Sequence, residues 1–416
     1  MSSEPEPGAA PSTGAPPNPR SWFITGLGIG QIVSWGSFYY SFPLIAEPMG
    51  LELGLSKPEV YGAATVGLAV AGLAAYPIGT YIDRGGGRAV MAVGSAIGGL
   101  LLIAWSQVGG LYSFYPLFAG IGLVQAMTMY EPAFAVVARR YGAEARGGIT
   151  ALTLWGGFAS TVFVPLVQIL LDQLGWRDAL LALGLINLVV CVALYAFTID
   201  PGRDAPYRPS PQHGAAARSG GGAVRWVMRK PAFWGLAVAF TIFHGTHSAL
   251  IFHLYPLLLE QGLDAASAVA AIAIFGPAQV AARVAVWLFA RRQSIRAIGA
   301  VNVLLFPIGL GFLMLHGLGF WAAAAFCLLY GAANGIMTIV RGMAVPEMLT
   351  REAYGAVNGV MTAPSAVVRA LAPAGAALLW SVGGSYDAVL WAIVAGAVVT
   401  MLCFWLAALF SARVHP

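Results

Sequence analysis

The chain has 416 residues, of which 59% are hydrophobic and only 9% charged, against about 25% charged in an ordinary soluble domain. Its mean hydropathy is +0.77. A soluble protein of this composition would expose large apolar patches and aggregate, and a membrane β-barrel would alternate apolar and polar residues. The apolar runs here are continuous over about 20 residues, the length an α-helix needs to cross hydrocarbon.

Residues 1–21 are rich in Pro, Gly, Ser and Ala and read as a disordered tail. They lack the basic start of a secretory signal peptide. Twelve spans are then expected: 22–46, 59–82, 89–107, 110–138, 147–171, 178–199, 232–259, 265–290, 296–315, 318–345, 354–380 and 386–411. The expected organisation is an N-terminal six-helix bundle over 22–199, a cytoplasmic linker over 200–231, a C-terminal six-helix bundle over 232–411 and a short tail over 412–416. Cys191, Cys327 and Cys403 all fall within apolar runs at spacings that fit no zinc or disulfide framework.

Orientation follows from the loops. Of the 22 Lys and Arg, Arg283, Arg341 and Arg369 fall inside spans, Lys57 and Arg177 fall on one side, and all the others fall on the opposite side. The positive-inside bias puts both termini in the cytoplasm, with the protein in the cell (inner) membrane. The net charge of +5 therefore reports topology and contact with the lipid bilayer, and no nucleic-acid partner is expected.

A shift of 208 positions carries Pro48 onto Pro256, Gly54-Leu55 onto Gly262-Leu263, Gly147 onto Gly355 and Pro165 onto Pro373. The same shift carries Asp83, Arg84 and Arg88 onto Arg291, Arg292 and Arg296. Six spans per half give both halves the same orientation, so the expected symmetry is a parallel pseudo-two-fold along the membrane normal, with a site between the halves.

The loop after the second span reads Gly79-Thr-Tyr-Ile-Asp83-Arg84-Gly-Gly-Gly-Arg88. This G-x3-D-R-x3-R run resembles the signature of the major facilitator superfamily. The resemblance implies an all-α polytopic fold and a cytoplasmic gate: Asp83 near a helix N-terminus, with Arg84 and Arg88 pairing with acids or helix C-termini. Gly120-x-Gly122 with Tyr130-Glu131-Pro132 in span four, and Phe275-Gly276-Pro277 with Gln279 and Arg283 in span eight, resemble the monocarboxylate porter and oxalate:formate antiporter branch. Two features depart from it: Gln279 stands where that branch carries an Asp, and span one has no Lys. Span five also lacks the glycine–proline run of drug/proton antiporters.

The intramembrane charges are the candidate site. Arg283 lies eight residues before Arg291, ~12 Å deep at 1.5 Å per residue and close to the midplane. An Arg there costs about 2.5–3.5 kcal/mol on insertion scales. It needs either a substrate carboxylate, which its fork fits bidentately, or a fixed ion pair. Glu131 is the only acid well inside an expected span and lies at matching depth. It is read as the proton carrier or as the partner of an Arg. The resemblance makes Arg369 a second anion contact. Arg341 is shallower and can snorkel.

Tyr130, Gln279, His247 and Asn334 are expected to line the substrate site, and Gln31, Ser34, Tyr40, His244 and Thr338 are further polar candidates. His244 and His247 share a helix face but have no acidic partner in the span, so no metal is assigned. No nucleotide-binding signature, cofactor motif or nucleophile–base set is present.

The expected function is secondary active transport of a small organic anion, a mono- or dicarboxylate, by alternating access, with a proton or counter-anion as coupled species and a monomer as the working unit. Proton-coupled export of amphiphilic compounds is the alternative within transport, and a non-transporting receptor the alternative outside it. An enzyme is not expected.

Overall fold

The computed structural model describes residues 22–141, 145–203, 224–290, 293–315, 319–350 and 354–411, and it is helical, with no strand among them. The expected tails at 1–21 and 412–416 and most of the 200–231 linker lie outside the described residues. The helices are α1 (Trp22–Trp35), α2 (Phe42–Leu53), α3 (Lys57–Tyr81), α4 (Gly87–Trp105), α5 (Leu111–Thr128), α6 (Tyr130–Tyr141), α7 (Ala145–Gly156), α8 (Ala159–Ile186) and α9 (Val192–Thr198). After residue 223 come α10 (Pro231–Glu260), α11 (Ala265–Ala273), α12 (Phe275–Phe289), α13 (Ile295–Leu313), α14 (Gly319–Ala344), α15 (Tyr354–Gly383) and α16 (Asp387–Phe410).

Ten helical stretches among the described residues are long and apolar enough to cross a membrane. One of them, Gly147–Arg203, is 57 residues long, about twice a crossing, and bends at Gly175, where φ is 77°. Large apolar side chains such as Leu73, Trp321, Val382 and Leu409 stand exposed on the outside, as lipid-facing residues do. Polar side chains such as Gln31, Ser34, Ser95, Asn187 and Asn302 are buried between helices.

The caps follow the repeat. Gly54 and Gly262, paired by the shift of 208, both hold positive φ (65° and 92°) just beyond α2 and α10, a conformation that favours glycine. Their neighbours Ser56 and Asp264 then start α3 and α11: Ser56 N–H donates to Glu59 at 2.8 Å, and Asp264 accepts from Ser267 N–H at 2.7 Å.

The bundle has two distinct ends. At the proximal end, Phe23 stacks edge-on with Tyr141, Arg140 reaches Asp200 O, Lys230 reaches Leu349 O, and Arg296 reaches Ser411 O. At the distal end, Gln261 donates to Leu313 O, and Glu260 binds Trp380 and Tyr386. Helices before residue 204 meet those after 223 along α3 with α15, α8 with α11 and α12, and α2 with α10. Side-chain contacts such as Lys57 on Trp380 close this seam at the distal end.

Close crossings rest on glycine. A Cβ at Gly122 of α5 would collide with Gly67 O of α3, and one at Gly335 of α14 would collide with the Gln279 backbone of α12. Gly335→Ala is therefore expected to destabilise by about 1–3 kcal/mol through overpacking. Gly375→Ala, on an open stretch of α15, should change stability by less than about 1 kcal/mol. Thermal unfolding of the purified protein checks both, and equal effects would mean the close crossing is not what holds α12 to α14.

Glu52, beyond the apolar part of the first span, ties the distal ends of the N-terminal helices together. Its carboxylate accepts from Trp176 Nε1 at 2.5 Å and from Arg177 Nε and Nη2 at 3.1 and 2.8 Å, while Arg177 Nη1 donates to Ser106 O at 2.6 Å. The hydrogen bonds from Trp176 and Arg177 hold the Glu52 carboxyl below its usual range. A carboxyl lowered in this way contributes stability above its unfolded pKa, and that contribution is lost as pH falls through the folded value. Glu52→Gln should therefore lower the unfolding midpoint at pH 7 and converge with the parent only as pH falls through that lowered folded value, below the ordinary glutamate range. A pH-independent difference would assign the effect to packing.

Candidate functional site

Interruptions in four spans bear on the site; a further π-turn, over Asn187–Cys191, lies in the expected sixth span. Between α1 and α2 the chain makes a π-turn over Gly36–Tyr40, closed by Ser41 N–H to Gly36 O at 3.0 Å. π-turns of this kind concentrate at functional sites. Gly36 sits against the Phe163 ring with no room for a Cβ. Between α5 and α6, Met129 is extended (φ −81°, ψ −157°). Pro132, which has no N–H to leave unpaired, then sits in the first turn of α6. The α7–α8 break falls at Gly157-Phe158 and the α11–α12 break at Ile274.

The π-turn and the Met129 break assemble an aromatic wall. The Trp35 ring lies 5.2 Å from Tyr39, 6.4 Å from Tyr40 and 5.0 Å from Tyr130. Tyr130 stacks on Phe134 at 5.1 Å. The Trp35 Nε1 is buried without a hydrogen-bond partner.

Arg283 stands at one edge of this wall, its charge reaching Tyr40 and Tyr130. Its Nε donates to Gly335 O at 3.2 Å, its Nη1 to Thr153 O at 2.9 Å, and its Nη2 to Gln279 Oε1 at 3.5 Å. Asn334 Nδ2 donates to the same Gln279 oxygen at 3.2 Å. Three residues named from the sequence, Arg283, Gln279 and Asn334, are thus brought into one network. That network spans α7, α12 and α14, and no carboxylate pairs with Arg283 among the described residues.

Arg369, on α15, stands at the other edge, its charge reaching Tyr39, His244 and His247. Its side chain is exposed, and among the described residues its guanidinium has no hydrogen-bond or ion-pair partner. Its backbone oxygen accepts from Ser248 at 2.8 Å. The His247 ring is sandwiched between Phe243 (5.5 Å, 17°) and Tyr330 (5.9 Å, 5°). His247 Nδ1 and His244 Nε2 are both buried and unpartnered. Buried polar atoms are paired in the great majority of cases, so two open nitrogens beside this guanidinium form a cluster whose hydrogen-bonding capacity the described residues leave unused.

Glu131 lies in the first turn of α6, where the helix dipole favours a carboxylate. It is exposed, its charge acts on Tyr130, and its carboxylate has no partner among the described residues. The structure does not bring it into ion-pair contact with Arg283. Arg341 acts electrostatically on His244. Gln31 and Ser34 take structural hydrogen bonds instead of lining the site: Gln31 donates to Thr128 O at 2.7 Å, and Ser34 meets the Tyr195 hydroxyl at 3.2 Å. Thr338 donates to Gly335 O in its own helix.

The signature loop makes a π-turn over Ile82–Gly86, with Gly85 at φ 99°. Arg84 and Arg88 are exposed there, and the Asp83 side chain lies outside what is described. Trp35, Tyr39 and the Thr153 carbonyl are site components that sequence reasoning missed. Nothing in the residue pattern distinguishes a π-turn or a freed carbonyl from regular helix. Glu47 was also missed, because the first helical segment runs on to Leu53; its buried Oε2 has no partner. Among the described residues no group of three or more His, Cys, Asp or Glu is placed to hold a metal.

The family model of the Major Facilitator Superfamily matches residues 27–373. Monocarboxylate transporter 11 of Homo sapiens is 30% identical over 273 residues, covering 64% of this chain and 54% of the relative. The oxalate:formate antiporter of Oxalobacter formigenes is 28% identical over 228 residues, covering 53% and 51%. The chain thus spans about half the length of these curated relatives. Among solved structures, a bacterial homolog to the human lysosomal transporter Spinster, inward-facing and unoccupied, aligns with a TM-score of 0.72 at 15% identity, covering 97% of this chain and 100% of that one. The nucleoside transporter NupG aligns with a TM-score of 0.70 at 13% identity, covering 92% and 98%. These two likenesses speak for the fold alone. With the family model spanning most of its length, the chain belongs to the Major Facilitator Superfamily.

Proposed function

We propose that the protein is a secondary active transporter of a small organic anion, a mono- or dicarboxylate, working by alternating access between two six-helix bundles. The observation that carries this reading is the Arg369 guanidinium: an intramembrane cation with no protein partner among the described residues, beside two histidine nitrogens that also lack one. A cation in that setting is costly unless something neutralises it, and a substrate carboxylate does so bidentately. Arg283 supplies a second positive potential across the aromatic wall. The names of the monocarboxylate and oxalate:formate relatives agree with this class.

In this reading the α1–α2 segment and the two arms of Gly147–Arg203 are crossings, giving twelve spans. The bundles are 22–199 and 232–411, joined by the 200–231 linker. The distal end faces outward, the basic proximal end lies in the cytoplasm, and the closed distal seam makes this an inward-facing state of a monomer in the inner membrane. Asp83, Arg84 and Arg88 gate the cytoplasmic face. Arg369, Arg283, Tyr130, Gln279, His247 and Asn334 bind substrate, and Glu131, at the α6 N-terminus, carries the coupled proton.

Uptake of radiolabelled carboxylates into proteoliposomes under an imposed pH gradient tests the reading. Uptake that saturates and follows the gradient is expected. Flux of uncharged amphiphiles without any anion flux would replace it with the exporter alternative. Arg369→Ala should weaken carboxylate binding roughly ten- to hundredfold, the equivalent of about 1.5–3 kcal/mol for a charge-assisted hydrogen bond. Arg369→Lys, which keeps the charge and loses the fork, should fall between. Affinity unchanged in Arg369→Ala would remove this residue from the site.

Glu131→Gln should abolish pH-driven accumulation while substrate exchange across the membrane continues. Accumulation that persists in that variant would take Glu131 out of the coupling path.

A further inference from the structure

The distal seam is held by an interlock. Tyr61 of α3 lies flat on His253 of α10, with ring centroids 3.9 Å apart and planes 18° apart, and donates its hydroxyl to Phe252 O at 3.2 Å. Lys57 sets its ammonium 3.7 Å from the Trp380 ring and 4.9 Å from the Tyr386 ring. Glu260 holds those two partners in place, taking Trp380 Nε1 at 2.8 Å and Tyr386 N–H at 2.6 Å. His253 at the centre is 0% exposed.

Both His253 nitrogens are committed. Nε2 lies 2.9 Å from Pro373 O. A carbonyl only accepts, so Nε2 carries a hydrogen. Nδ1 lies 2.8 Å from the Tyr386 hydroxyl, which donates to it when the ring is neutral. A second proton turns Nδ1 into a donor. The Tyr386 hydroxyl must then accept, and must turn its own hydrogen into a packed interface. The groups around this centre are Glu47, Lys57 and Tyr61 from α2 and α3, and Glu260 and Tyr386 from the chain after residue 223. Lys57 is the charge that acts on the His253 ring, while Glu47 and Glu260 act on Lys57 and Tyr386. A protonated ring therefore meets a like charge and loses its hydroxyl donor, and the closed interlock accommodates the neutral ring.

We propose that His253 is a proton-binding residue that operates the distal gate: neutral, it locks α3 onto α10 and α15; protonated, it releases them. The proposal rests on the alternating-access reading but not on any substrate. Its test measures distance, so a failure to transport carboxylates and a failure of the gate are told apart.

Spin labels at Leu51→Cys and Ser381→Cys, both exposed at the distal end, report the separation across the seam by pulsed electron paramagnetic resonance. Cys403 is replaced by Ala in this protein, because it is the native cysteine that is not buried. Between pH 8 and pH 5.5 a more widely separated population should grow several-fold. In His253→Gln the distribution should be indifferent to pH. In Tyr386→Phe, which keeps the imidazole but weakens the closed state, the transition should move to higher pH. A native protein without pH response, or a response that survives in folded His253→Gln, overturns the proposal. Should His253→Gln fail to fold, Tyr386→Phe decides alone, and an unmoved transition rejects it.

Discussion

Hydrocarbon offers no hydrogen bonds, so every backbone N–H and C=O at membrane depth must find its partner inside the protein. Helix satisfies that demand everywhere except where a span is interrupted. Interruptions fall at the Gly36–Tyr40 turn, Met129, Gly157-Phe158, the Asn187–Cys191 turn and Ile274, and oxygens around several of them are claimed individually. Gln31 takes Thr128 O, Thr161 takes Ala273 O at 3.0 Å, and Arg283 takes Thr153 O. At these breaks backbone irregularity and side-chain polarity coincide inside an apolar bundle.

The same accounting separates the two central arginines. Arg283 is engaged by three oxygens, two of them backbone, and ties α7 to α12 and α14. These contacts solvate the guanidinium without neutralising it. The Arg369 side chain is exposed and has no such protein contacts among the described residues, and its neighbours His244 and His247 add unpartnered nitrogens. Arg283 is thus braced by the protein, whereas the Arg369 guanidinium has no hydrogen-bond or ion-pair partner among the described residues. Depth alone ranked Arg283 first, because sequence gives the position of a charge along a span but not how many acceptors surround it.

Much of the architecture was legible. Apolar run length and the loop after span two pointed to the fold, and the shift of 208 pairs residues that do the same work in space. Gly54 and Gly262 hold positive φ, and Ser56 and Asp264 cap the helices that follow. Arg283, Gln279 and Asn334 were named from sequence and share one network. The wall was legible only in part. Tyr130 and Tyr40 were named, but Tyr39 lies within a π-turn, which adds one residue to a helical turn and so shifts the face on which side chains fall, and Trp35 at the end of α1 packs against it. Periodicity read at 3.6 residues per turn misses that shift. Glu47 was missed for a related reason: hydropathy ends the first span where polar residues begin, whereas the helix continues to Leu53.

Site and distal seam are physically continuous. Tyr39, whose neighbourhood includes Arg369, packs edge-on against Phe252 at 5.0 Å. Phe252 also touches Phe42 at 5.5 Å, and its carbonyl accepts the Tyr61 hydroxyl. The next residue in the chain is His253. A ligand that moves Tyr39 must therefore displace the ring of Phe252, and any shift of α10 at Phe252 is felt one residue later in the stack on Tyr61. Packed aromatic contacts of this kind have discrete alternatives and do not deform smoothly. Under the proposed function, this contact between Phe252 and His253 on α10 is the route by which occupancy at the Arg369 end of the wall would be felt at the distal seam.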